Sequence, residues 1–148
     1  MKNLSFLLIA FCILCFSSCK KDEELSTKDK IVGEWQYESL KYEVYINEEL
    51  VDSGLDSLVG STIEFKSNET LISSFIDENG DVQTDNDIWV LLEEENKIII
   101  GDIGDRDILE IQELTESTMI LIQNIEVTGS GSGNDFYRRR DEVSLTKK

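Results

Sequence analysis

Thr62-Ile63-Glu64-Phe65-Lys66-Ser67-Asn68-Glu69-Thr70 reads as a strand, a short polar turn and the opening of a second strand. Ile63 and Phe65 alternate with Thr62, Glu64 and Lys66, the period of two that puts apolar side chains on one face of a sheet and polar ones on the other. It is the cleanest one-face-buried alternation in the chain. Ser67-Asn68-Glu69 supplies turn chemistry between the two runs. The pattern continues in both directions, with strands expected over Ser61 to Lys66, Thr70 to Ile76, Asp87 to Glu93, Lys97 to Gly101, Ile108 to Leu114 and Thr118 to Val127, and a last one ending near Lys147. The links Asp77 to Asp81, Glu94-Glu95-Asn96 and Thr115-Glu116-Ser117 are short and polar, which makes neighbouring strands antiparallel. Together with a first strand over Glu34 to Ile46, about eight strands are expected, the number that closes an up-and-down antiparallel sheet into a small β-barrel. The fold class is therefore all-β.

The first strand departs from simple alternation. Leu40, Tyr42, Val44 and Ile46 follow one parity, yet Trp35, Tyr37 and Tyr45 follow the other. Aromatics on both faces fit a long bent strand at a barrel seam. Before it, Ser26-Thr27-Lys28-Asp29 has the form of a helix cap for a brief turn through Ile31-Val32. That turn would close one end of the barrel.

The amino terminus has its own logic. Met1-Lys2-Asn3 leads into an apolar stretch from Leu4 to Phe16 and then Ser17-Ser18-Cys19: a charged start, an apolar middle and a small-residue cleavage site. The stretch is shorter than the roughly 20 apolar residues that a membrane-crossing helix needs. A signal segment over 1–18 is expected, cut between Ser18 and Cys19, followed by a tether over 19–30 and the barrel domain over 31–148. Residues up to Lys30 are charged and lack aromatics, so they bury too little apolar area to fold. Cys12 and Cys15 lie within the apolar run and leave with the signal; their spacing with Cys19 has the look of a metal or redox motif, but their setting offers neither thiolate chemistry nor a cleavage site.

Phe16-Ser17-Ser18-Cys19 resembles the bacterial lipobox, with phenylalanine in place of the usual leucine. The resemblance implies acylation of Cys19, and several acyl chains anchor a protein stably where a single chain is marginal. Lys20 stands where an aspartate would mark retention at the inner membrane, so the resemblance implies the outer membrane. Lys21-Asp22-Glu23-Glu24 is similar to the export tag of Bacteroidota-type surface lipoproteins, which implies display on the cell surface.

Composition limits the chemistry. The 148 residues support one domain with a single modest core. The chain carries 14 basic and 31 acidic residues, a net charge of −17 that repels phosphate backbones and excludes nucleic acid as a partner. It has no histidine, and after processing no free thiol, which removes Ser-His-Asp and Cys-His catalysis and His- or Cys-ligated metals. Gly129-Ser130-Gly131-Ser132-Gly133 is a flexible loop rather than a phosphate cradle. Carboxylate pairs remain, from Glu93, Glu94 and Glu95 or from Asp102, Asp105 and Asp107, but these fall in turns where solvated acids are ordinary. The same turns, Gly101 to Asp107 and Asp77 to Asp81, have oxygen donors for calcium without the spacing of a recognised loop. No catalytic, metal or cofactor site is read from the chain.

Gly33-Glu34-Trp35, Thr62 to Thr70, Asp87-Ile88-Trp89-Val90 and Ile111-Gln112-Glu113-Leu114-Thr115 together resemble the lipocalin-like lipoproteins, over roughly Ile31 to Lys147. Gly33 and Trp35 carry the Gly-x-Trp motif that opens the first strand in that family. Glu69 stands where a turn glycine is usual, so a wider hairpin is expected there. The resemblance implies that Trp35 plugs the closed end, with a cation from Arg138, Arg139, Arg140 or Lys147 on its ring. It also implies a surface-anchored binding module for a small apolar or amphipathic molecule, with Tyr37, Tyr42 and Trp89 as candidate ligand-lining residues. The alternative is a barrel filled by its own side chains that works as a scaffold or as the partner of an envelope protein; a carboxylate-dependent hydrolase ranks below both.

Overall fold

The computed structural model describes residues 25–58, 60–77, 79–102, 104, 106–128 and 136–148. Ser18 and Cys19, the acid Asp105 and the Gly129–Gly133 run lie outside the described residues. One helical turn, α1 (Thr27–Ile31), precedes nine strands: β1 (Gly33–Ile46), β2 (Glu49–Asp56), β3 (Thr62–Phe65), β4 (Thr70–Ile76), β5 (Val82–Leu92), β6 (Lys97–Ile100), β7 (Asp107–Leu114), β8 (Thr118–Thr128) and β9 (Phe136–Lys147). Ser26 caps α1, its hydroxyl accepting from the Asp29 amide at 3.1 Å.

The ladders are antiparallel, and the sheet order is β2-β1-β3-β4-β5-β6-β7-β8-β9 with β9 returning to β1. Eight strands, all but β2, therefore close a barrel, which leaves that part of the sheet no open edge. β1 is the seam. One of its edges pairs with β9 from Trp35 opposite Lys147 to Ile46 opposite Tyr137. Its other edge is shared, with β3 taking Gly33 to Gln36 and β2 taking Leu40 to Ile46.

The register explains the mixed aromatic pattern of β1. Tyr37 lies opposite Leu145 and Leu40 opposite Val143, with an irregularity between Tyr37 and Ser39. Leu145 and Val143 are two apart and face the same side, so the extra residue of the bulge brings Trp35 and Tyr37 onto the same face as Leu40 and Tyr42. That bulge gathers Trp35, Tyr37, Leu40 and Tyr42 on one face, while Tyr45, opposite Arg138, stays on the other with Glu43.

The core gathers at the α1 end. Ile31, Trp35, Phe65, Trp89, Ile98 and Met119 are fully buried, and Ile63, Leu71, Ile111, Leu121 and Leu145 are nearly so. Phe65 meets Trp89 edge to face, with centroids 5.2 Å apart and planes at 86°, a contact of about 0.5–1.5 kcal/mol beyond its buried area. Both indoles have their N–H satisfied: Trp35 donates to the Ile31 carbonyl at 2.7 Å and Trp89 to that of Lys66 at 3.0 Å. The first of these ties α1 to the barrel floor.

Two elements differ from the sequence expectation. β2 falls in a stretch expected to connect strands, and β5 starts at Val82 rather than Asp87. Residues of β2 are exposed except for a half-exposed Gly54, and Val82 to Ile88 are all exposed. Strand there is made by backbone pairing alone, β2 with β1 and Val82–Ile88 with β4, and no buried face stamps its period on the sequence. The Lys66–Thr70 hairpin is also tight rather than wide. Lys66 N–H donates to Thr70 O at 2.9 Å and Glu69 N–H to Lys66 O at 3.0 Å, because Glu69 itself takes the left-handed conformation, φ 69°, that glycine would otherwise provide.

Candidate functional site

At the closed end the Gly-x-Trp tripeptide and the last strand form one unit. The ammonium of Lys147 stands 5.1 Å from the Trp35 ring centroid and donates to the Lys30 carbonyl at 2.8 Å. Gly33 makes room for it: a Cβ there would lie 2.7 Å from the Lys147 side chain, on a backbone with φ 137°. Of the four basic candidates, Lys147 is the one on Trp35. Arg138 lies over Tyr45 at 4.5 Å and Arg139 over Tyr42 at 5.3 Å, while Arg140 reaches Glu43 and Glu142.

Above this floor the barrel is hollow. A cavity of about 340 Å³ is walled by Ile63, Leu71, Ile100, Leu109, Leu121 and Leu145, with Tyr37 and Val143 beside them. A volume in this range suits a small organic molecule. Its upper rim is polar, made by Ser73, Asp85, Asp87, Asp107 and Gln123. The rim follows from strand lengths. β5 pairs with β6 only from Trp89 opposite Ile100, and β6 with β7 only to Ile100 opposite Asp107, so the β6–β7 wall stops low while β5 continues to Val82 and β8 to Thr128. Counting inward positions by twos from buried Trp89 reaches Asp87 and Asp85 in that taller section.

A second space of about 300 Å³ adjoins the first, sharing Tyr37, Ser73, Gln123 and Val143 and adding Leu40, Phe75 and Asp141. Asp141 is buried, and the Arg139 guanidinium meets it at 2.8 Å. The bond to that carboxylate raises the Arg139 pKa above its ordinary value. The charge of Asp141 is thus answered from within the protein.

Among the candidate lining residues, Tyr37 faces both spaces, and burial pushes its phenol above the ordinary tyrosine range. Trp89 is fully buried under the cavity floor against Phe65. Tyr42 lies on the inner face between Arg139 and Gly54, where a Cβ on Gly54 would come within 2.6 Å of its ring. The structure therefore brings Tyr37 to the cavity and gives Tyr42 and Trp89 packing positions. Glu93–Glu95 form an exposed 3-10 turn and Asp102 is exposed near the β6–β7 link, so these acids do not share a cleft. Among the described residues, no three acids converge closely enough to hold a metal ion.

The rim residues Ser73, Asp85 and Gln123 had no signal of their own in the sequence. Asp87 and Asp107 stood there only as a strand start and a turn acid. An acid at an inward strand position, two or four residues before a core tryptophan, is the signal that would have found the first pair.

No family model matches this sequence, and no curated protein matches it either. Solved structures do. A lipocalin-like protein from Bacteroides uniformis superposes with a TM-score of 0.52 at 14% identity, covering 80% of this chain and 99% of the other. An uncharacterized protein from Bacteroides eggerthii superposes with the same score, identity and coverage. At that identity the likeness is one of fold: the closed eight-stranded barrel of this chain is lipocalin-like.

Proposed function

We propose that the chain is a non-catalytic, lipid-anchored binding module whose barrel takes up a small apolar or amphipathic molecule. One observation carries the binding part of this reading, the apolar-walled cavity of about 340 Å³ open toward a polar rim. A barrel serving purely as a packed scaffold would fill that volume with its own side chains. Anchoring rests on the sequence: Ser17-Ser18-Cys19 after an apolar stretch supports cleavage before Cys19, acylation there, and display at the outer membrane and cell surface.

The binding test uses a neutral short-chain alcohol. Hexanol titrated calorimetrically into the full chain, held in phosphatidylcholine nanodiscs with empty discs as the blank, is expected to give saturable heat. Ser73→Trp, which puts an indole into the cavity, is expected to abolish it while circular dichroism stays unchanged; heat that survives Ser73→Trp places binding elsewhere. For the anchor, Cys19→Ser or globomycin treatment is expected to move the protein out of the membrane fraction and remove the mass of the acyl groups. An unchanged mass and fractionation would overturn it.

A second reading has its own support. Ile46, Leu50, Leu55, Phe75, Ile76 and Val82 are exposed, and all belong to strand ends or to β2 on the side away from α1. Exposed apolar groups gathered at one end fit a contact with an envelope protein. The Ser73→Trp variant separates the two, since it blocks the cavity and leaves those side chains in place.

A further inference from the structure

We infer, on the footing of the cavity-binding reading above, that the cavity selects molecules with a cationic head, an organic ammonium carried on a short apolar body, over neutral and anionic ones of the same size. The cavity has an apolar wall at one end and three carboxylates at the other, Asp85, Asp87 and Asp107, with neither lysine nor arginine in its lining. An occupant whose tail meets Leu109, Leu121 and Leu145 therefore has its head among like charges of one sign.

The contrast with the adjoining space sharpens the point. There the single acid, Asp141, is paired with Arg139 at 2.8 Å. Among the described residues, none of the three rim aspartates is paired with a lysine or arginine. Their hydrogen bonds come from neutral groups: the Gln123 amide donates to Asp107 at 2.7 Å, and the Ile88 backbone N–H donates to Asp87 at 2.7 Å. Both leave the charge in place. Negative charge at the mouth of a low-dielectric cavity focuses the field into it, which draws cations and turns anions away.

A metal ion is a poor match for the same acids. They do not converge into a ligating group, and the space beneath them is hydrocarbon-lined, so a desolvated metal would gain nothing from it. An alkylammonium gains on both counts, since the tail buries apolar area and the head stays hydrated at an exposed rim. Each exposed ion pair is weak, and the selectivity expected from all of them together is about tenfold.

The test compares hexylammonium, hexanol and hexanoate, which share one tail and differ in head charge, by calorimetry on the full chain in phosphatidylcholine nanodiscs with empty discs as the blank. Hexylammonium is expected to bind roughly tenfold more tightly than hexanoate, with hexanol between them, and the gap is expected to narrow as salt is added. The Asp85→Asn/Asp87→Asn/Asp107→Asn variant is expected to equalise the three, and an unchanged circular dichroism spectrum shows that the variant folds. Hexanol binding with no preference among heads, or a preference that survives the triple substitution, overturns the cationic inference and leaves the binding module standing. Binding of none of the three overturns both.

Discussion

At the scale of single residues, Glu69 and Tyr37 hold a conformation and an environment that their side chains would not choose. Glu69 is left-handed at φ 69°, a state that costs a non-glycine residue about 1–3 kcal/mol, and its carboxylate recovers part of this through an exposed contact with Lys28 at 3.1 Å. Glu69→Gly is expected to raise stability by roughly 1 kcal/mol, read from urea unfolding with an unchanged slope. A destabilised variant would show that the Lys28 contact outweighs the backbone. Tyr37 is the other. Burial at the cavity wall favours its neutral phenol, so one of the four tyrosines is expected to ionise late in an absorbance titration, and Tyr37→Phe to remove that late phase. Because the folded pKa is raised, alkali favours the unfolded chain, in which this phenol ionises freely. Stability is therefore expected to fall as pH rises past the unfolded tyrosine value near 10.

At the scale of elements, strands with a buried face were legible and strands without one were not. Thr70–Ile76 begins and ends where it was expected, between the polar links Ser67-Asn68-Glu69 and Asp77 to Asp81, and its Leu71 presses into the core. β2 left no such trace, since its residues face water and its order comes from the ladder to β1. Its outer edge is unpaired among the described strands. Amide exchange in β2 is therefore expected to be faster than in β3 or β9 by orders of magnitude, and deleting Glu49–Asp56 to leave the main unfolding transition in place; loss of cooperative unfolding would make β2 part of the core fold. The β4–β5 turn makes a further prediction. The Asp77 carboxylate accepts from the backbone amides of Asp81 and Asn79 and from Gln83, and the Asp81 amide is the largest cause of its lowered pKa. A lowered folded pKa means that the turn's support is complete above the ordinary aspartate range and is lost as pH falls through the folded value. Protection of the Asp81 amide is expected to drop on acidification, and in Asp77→Asn to become independent of pH over that range.

At the scale of the whole molecule, charge and closure act together. A net charge of −17 on a small barrel is self-repelling, and the exposed ion pairs seen here offset little of it. Added salt is expected to raise the melting temperature, with about 4 °C for each kcal/mol of repulsion screened; a melting point indifferent to salt would show that the excess acids lie too far apart to interact. The same closure decides what can be read in advance. Sequence alone determined that the chain is all-β, that its strands number about what a small barrel needs, and that histidine chemistry is absent, because alternation and composition are properties of short stretches; the place of Trp35 at the closed end came from the likeness of Gly33-Glu34-Trp35 to a family motif. The tertiary structure decided the rest. It set the bulge that brings Tyr37 and Leu40 to one face, the choice of Lys147 over three arginines for the Trp35 ring, and the meeting of Asp85, Asp87 and Asp107 around one hollow. Those depend on which strands become neighbours and how high each one stands when the sheet closes, and such register between distant segments is set by the barrel as a whole rather than by any local run of residues.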